Sequence, residues 1–178
     1  ADSDSVWKVC NSINSGRWNS IRKTLNIADN STLNFKILID QSYTPSDKDS
    51  CYLTDQIHLT IGPTNKDSSA RSKSIDLKDS TLKLYADNNS QISIGGLSFI
   101  ASGRANIIFL SGKIDFRNNS VSMPSTTQHW GVIVHGESVE KTRIVNSRFS
   151  NSSILVQDNA QADLEENSFS GTAHIETA

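Results

Sequence analysis

The sequence predicts an all-β protein, a parallel β-solenoid behind a short N-terminal helical segment. Three observations carry this reading. The first is composition: of 178 residues, 29 are Ser, 16 Asn and 12 Thr, and Ile (18) outnumbers Leu (12). Helical chains favour Leu, Ala, Glu and Lys, whereas an Ile-rich, Asn/Ser-rich chain points to strands joined by many turns. The second is a set of three-residue stretches that alternate apolar, polar, apolar. The third is a repeat. Asn88-Asn89-Ser90-Gln91-Ile92-Ser93-Ile94-Gly95-Gly96-Leu97-Ser98-Phe99 matches residues 158–169 at a constant offset of 70, with Asn, Gln, Ser and Phe recurring identically. Internal periodicity of this kind marks a repeat architecture.

From the N-terminus, residues 1–32 read differently from the rest. Val6, Val9, Cys10, Ile13, Trp18, Ile21 and Leu25 fall at intervals of three to five, as on an amphipathic helix. Ser5 is a suitable N-cap, and Gly16 divides the stretch into two short helices. A solenoid needs its end plugged, so 1–32 is expected to be a cap, with Trp7 and Trp18 as bulk over the core. Residues 33–178 then form the solenoid, the whole being one structural domain. Residues 63–74 are Lys/Ser/Asp-rich and are expected to be a loop.

From residue 75 the strands come in two sets. One set is Ile75-Asp76-Leu77, Ile92-Ser93-Ile94, Ile114-Asp115-Phe116, Thr142-Arg143-Ile144 and Ala162-Asp163-Leu164. The other is Leu82-Lys83-Leu84, Ile107-Ile108-Phe109, Val132-Ile133-Val134 and Ile154-Leu155-Val156. A period of two buries one face and wets the other. The repeat units begin at Leu77, Ile94, Phe116, Ile144 and Leu164, at intervals of 17, 22, 28 and 20 residues. Coils of about twenty residues with insertions in their turns fit this spacing. Strands this short cannot hide an apolar face alone, but stacked coils give each a parallel partner above and below. An antiparallel sandwich explains neither the matched Asn and Phe nor the absence of Asn-Gly and Asp-Gly turns.

The apolar-x-x-Asn-Ser-Phe unit resembles the coils of right-handed parallel β-helices, the pectate-lyase-like superfamily. The resemblance covers residues 75–178 well and 33–62 loosely, where Phe35–Tyr43 and Ile57–Gly62 are similar to an opening coil. It implies right-handed coiling, an Asn ladder at one turn and aromatic stacks inside. It specifies a fold rather than an activity.

Composition and charge exclude several functions. The formal net charge is −2 and the pI about 6.1, so no excess of cations exists to neutralise nucleic-acid phosphates. No apolar run approaches the length of a membrane span. The Ala-Asp-Ser-Asp-Ser start and the polar, weakly charged surface point to a secreted, periplasmic or cell-surface protein. In that setting Cys10 and Cys51 are expected to form a disulfide that pins the first coil to the cap. Asn30, Asn88, Asn118 and Asn151 lie in N-x-S/T sequons, read as turn residues before glycan sites.

For chemistry, the outward strand residues Asp115, Arg143 and Asp163 are expected on successive rungs, roughly 5 Å apart. They offer a charged sugar site or a self-neutralising face. His129 and Trp130, in an insertion over 122–131, are the expected aromatic anchor for a glycan or another surface protein. No paired-Asp hydrolase motif, lyase signature, GxSxG or Cys/His cluster is present, so no catalytic residue, metal or cofactor is assigned. The reading is a non-catalytic, adhesin-like or host-contact binding protein. The alternatives are a polysaccharide lyase or glycoside hydrolase, or a structural module of an autotransporter passenger or phage tailspike.

Overall fold

The structure is a computed structural model that describes residues 22–26, 32–39, 50–53, 56–64, 73–77, 81–87, 89–101, 108–124, 129–136 and 141–178. Seventeen short strands follow the chain among these residues. An opening coil holds β1 (Leu33–Ile39) and β2 (Ser50–Leu53). Five three-stranded coils follow. They are β3 (Ile57–Pro63), β4 (Lys73–Asp76) and β5 (Leu82–Ala86); β6 (Gln91–Gly95), β7 (Leu97–Ile100) and β8 (Ile108–Gly112); β9 (Ile114–Arg117), β10 (Ser120–Ser122) and β11 (His129–Val134); β12 (Thr142–Val145), β13 (Arg148–Ser150) and β14 (Ser152–Val156); and β15 (Ala162–Glu165), β16 (Ser168–Ser170) and β17 (Ile175–Thr177).

Each coil adds one rung to three parallel sheets. Sheet A runs β1-β3-β6-β9-β12-β15, sheet B β4-β7-β10-β13-β16, and sheet C β2-β5-β8-β11-β14-β17. The protein is therefore a parallel β-solenoid. Helix among the described residues is confined to 22–24. The expected cap over 1–32, with Ser5, Trp7, Gly16 and Trp18, otherwise lies outside them.

Inward residues stack in continuous columns. In sheet A, Ile61, Ile94, Phe116, Ile144 and Leu164 are in register. In sheet B the column is Ile75, Phe99, Val121, Phe149 and Phe169. Phe99 stacks on Phe116 at 5.8 Å and Phe149 on Phe169 at 5.4 Å between ring centres. Phe99, Val121 and Phe149 are buried, whereas Phe169 is only half-buried because it belongs to the last coil described and has a neighbour on one side.

The turn from sheet A to sheet B explains the Asn in the repeat. Gly96, Asn118, Asn146 and Glu166 occupy one column and all have positive φ, from 49° to 72°. Only Gly and Asn tolerate that conformation readily, which accounts for three of the four. The next position holds Asn119 and Asn167. Asn119 Nδ2 donates to the Ile94 carbonyl at 3.0 Å, and its Oδ1 accepts from the Leu97 amide at 3.1 Å. Asn167 repeats this one coil further from Asn146, donating to Ile144 O and accepting from Ser147 N. Gly112, at φ +87°, is needed for a second reason: a Cβ there would lie 1.8 Å from the Ala86 carbonyl oxygen.

Three expectations need correction. Ile75-Asp76-Leu77 does not align with Ile92-Ser93-Ile94. Ile75 faces Phe99 in sheet B, and Ile61 stands beside Ile94 in sheet A. Both triplets alternate identically, so the pattern cannot tell one sheet from another. In sheet C, Leu82 faces Ile108 rather than Ile107. The run Ile107–Leu110 allows either alternation, and the pairing of Leu84 with Leu110 decides it. Finally, the insertion over 122–131 is shorter than expected. Ser122 ends β10, and His129, Trp130 and Gly131 open β11, with a register irregularity between Trp130 and Val132.

Candidate functional site

The outer face of sheet A is built from three columns, two of them polar and the third mixed. The middle one is Lys36, Thr60, Ser93, Asp115, Arg143 and Asp163. Beside it run Asn34, His58 and Gln91, followed by Lys113 and Lys141 just before β9 and β12. On the other side stand Leu38, Gly62, Gly95, Arg117, Val145 and Glu165. The structure thus brings Asp115, Arg143 and Asp163 together on adjacent rungs.

Their pairing differs from a simple Asp-Arg-Asp ladder. Asp115 Oδ2 holds Arg117 Nη2 of its own strand at 3.2 Å, Arg143 reaches Glu165 at 3.5 Å, and Lys141 reaches Asp163 at 3.5 Å. All six side chains are partly exposed, so each pair contributes about 0–1 kcal/mol. What the pairs do is fix the direction of the charges. Among the described residues the face carries five cations, Lys36, Lys113, Arg117, Lys141 and Arg143, against three carboxylates, although the chain as a whole is acidic.

Two concavities open on this face. One, of about 490 Å³, is lined by Gln91, Lys113, Ile114, Asp115, Lys141, Arg143 and Asp163. The other, of about 260 Å³, lies over Gly62, Gly95 and Gly96, where no side chains rise from the sheet. Asp115 lines both, so they adjoin. Together they run from β3 to β15, four rung spacings or about 19 Å. His58, on the adjoining column, has its pKa lowered from 6.5, first by burial and then by the positive charge of Lys113. It is neutral at pH 7.

Trp130 sits elsewhere, on sheet C. Its ring meets His174 edge-on at 5.8 Å, and its strand position pairs with Ser153. It is half-buried against the last coil described rather than raised on a loop. The backbone of His129 pairs with Ser152. The strand that carries His129 and Trp130 therefore belongs to a different sheet from Asp115, Arg143 and Asp163. Cys51 is fully buried on β2 at the head of an interior column of sheet C and is not a free thiol. Cys10 lies outside the described residues.

Near Trp130 a Ser, His and Glu converge. His174 Nδ1 lies 3.0 Å from Ser153 Oγ, and Nε2 lies 2.8 Å from Glu176 Oε1. The arrangement has the composition of a nucleophile relay but not its chemistry. Nδ1 is also 3.0 Å from the Thr172 carbonyl, which can only accept, so Nδ1 carries a proton. Ser153 Oγ accepts from the His174 amide at 3.0 Å and is buried. The pKa of His174 is raised, chiefly by the Thr172 carbonyl and then by Glu176. The cluster is a clamp between the last two coils.

The sequence places His58 outward on its strand, but its pattern assigns no site role to His58, Gln91, Lys113 or Lys141. Their signal was present: continuing each strand's alternation two residues toward the N-terminus reaches 91, 113 and 141. Among the described residues no group of three His, Cys, Asp or Glu is placed to hold a metal, and no helix is long and apolar enough to cross a membrane. No protein-family model, curated protein or solved structure matches the chain.

Proposed function

We propose that the protein is a secreted, non-catalytic β-solenoid binding protein that takes an extended polar ligand, a glycan or a partner's surface, along the outer face of sheet A. The carrying observation is that both concavities open on this one face and adjoin at Asp115. The dimensions support an elongated ligand, and the ion pairs hold Arg143 and Asp163 in place before it arrives, which lowers the ordering cost of binding. Asp115 and Asp163 each already hold a cation, so neither is the isolated buried acid that glycoside hydrolysis uses. Secretion and a Cys10–Cys51 disulfide belong to the same reading.

A glycan array run beside reducing-sugar and lyase assays tests it. Binding without turnover is expected. Arg143→Ala should weaken binding at least tenfold, about 1.4 kcal/mol, whereas Trp130→Ala should leave affinity within about twofold. Turnover of any oligosaccharide overturns the non-catalytic reading. Binding lost with Trp130 and kept without Arg143 moves the site to sheet C.

A further inference from the structure

The cations of the sheet A face are not equivalent. Arg117, Lys141 and Arg143 each hold a carboxylate of the same face. Among the described residues Lys113 has no carboxylate within ion-pair distance, yet it lines the larger concavity and is half-buried. Its charge is felt two rungs away, where it disfavours protonation of His58. Between them stands Gln91, in register with His58, its amide oriented by a 3.1 Å bond from Nε2 to Ser93 Oγ. The second N–H of that amide remains for another acceptor.

We propose that Lys113, with Gln91 and His58 beside it, forms a subsite for a tetrahedral oxyanion, a sulfate or phosphate group. The inference deepens the groove reading above and rests on it. The donor types decide the ligand class. Planar carboxylates are best held by bidentate guanidinium forks, and on this face both arginines near the groove are occupied by the protein's own carboxylates. What is left is a compact ammonium, an amide N–H and an imidazole at different positions along one column. Such point donors match oxygens pointing in several directions.

The subsite is pH-dependent. The groups facing His58 are Asn34 and Lys36 from β1, Thr60 from its own strand, Gln91 and Ser93 from β6, and Lys113 and Asp115 at the β9 rung. Of these only Asp115 is anionic, and it is paired with Arg117. An oxyanion at Lys113 offsets the Lys113 repulsion, the lesser of the two effects that lower the His58 pKa, the larger being burial. By linkage, binding raises the His58 pKa, and protonation of His58 tightens binding. Affinity therefore increases as pH falls below about 6.5, the unperturbed imidazole value.

The test follows the His58 ring signals by NMR from pH 4.5 to 8, in chloride and with added inorganic sulfate, inorganic phosphate or acetate. Sulfate or phosphate is expected to raise the His58 midpoint by a few tenths of a pH unit, the size of a screened unit charge nearby, and acetate to raise it less. Lys113→Gln should raise the midpoint without any anion and remove the response to sulfate. Lys36→Gln should leave the response intact. The His58 signals themselves report whether each variant folds. A His58 midpoint indifferent to sulfate, or an equal response in Lys113→Gln, overturns the subsite. A sulfated oligosaccharide and its desulfated twin separate this inference from the groove reading. Equal affinity for both keeps the groove and overturns the oxyanion subsite. A response to inorganic sulfate with neither oligosaccharide bound supports the subsite and overturns the groove.

Discussion

Asn119 shows how one side chain can specify a turn. It is fully buried, and its amide joins two backbone groups of the preceding coil while its own amide N–H donates to Ser147 Oγ of the next at 3.2 Å. Removing it leaves Ile94 O and Leu97 N buried without partners, each costing about 1–3 kcal/mol. Asn119→Ala is therefore expected to lower the unfolding free energy by about 2–4 kcal/mol, and Asn167→Ala by no more than about 1–2, since its turn is only part-buried and water can replace the lost bonds. Denaturant melts with unchanged slope would check both. Equal losses would mean that the ladder does not act through buried backbone groups. At this scale the sequence was readable. The sequence marks Asn118 and Asn151 as turn residues, and both have positive φ. Glu166 could not be recognised, because Glu has no preference for the left-handed conformation it adopts.

At the scale of elements, a strand such as β10 or β13 is three residues long and buries one of them. It is stable only because its inward residue sits between two others of the same column. Phe149 lies between Val121 and Phe169 and is 1% exposed. Phe149→Ala should cost about 3–5 kcal/mol as a cavity in a close-packed column. Phe169→Ala should cost less than about 2, because its outer side has no rung to leave a void against. A loss below about 1 kcal/mol at Phe149, measured by denaturant unfolding, would contradict the column. The Phe recurrence at 99, 149 and 169 was legible because identical residues occupy identical places. The assignment of Ile75 to sheet B was not, since a three-residue alternation carries no label for the sheet it joins.

At the scale of the whole molecule, the three faces differ. Sheet A is polar and positive outside, whereas sheet C places Phe109, Ile133 and Leu155 in register on its outer side. Cys51 marks the head of the core, where a bridge to Cys10 would close a loop of about 40 residues and stabilise the fold by roughly 3–4 kcal/mol in the chain-entropy picture. Thiol titration of the unfolded, unreduced protein is expected to find no free thiol. Two titratable thiols would remove the bridge, and with it the argument for an oxidising compartment.

The sequence by itself determined the class of fold. Alternation of period two and Asn and Gly at turn positions are local properties that survive any insertion between coils, and the match of residues 88–99 with 158–169 adds the repeat. Only the tertiary structure decided the candidate site. Lys113 and Lys141 are 28 residues apart, and His58 and Gln91 are 33 apart, in segments whose lengths follow no fixed period. Parallel stacking brings such residues to within about 4.8 Å per rung, whatever the length of the turns between them. The same stacking separates Trp130 from Arg143, because consecutive strands along the chain enter different sheets. Which polar residues face one groove is therefore a property of register, and register is set by the columns of the core.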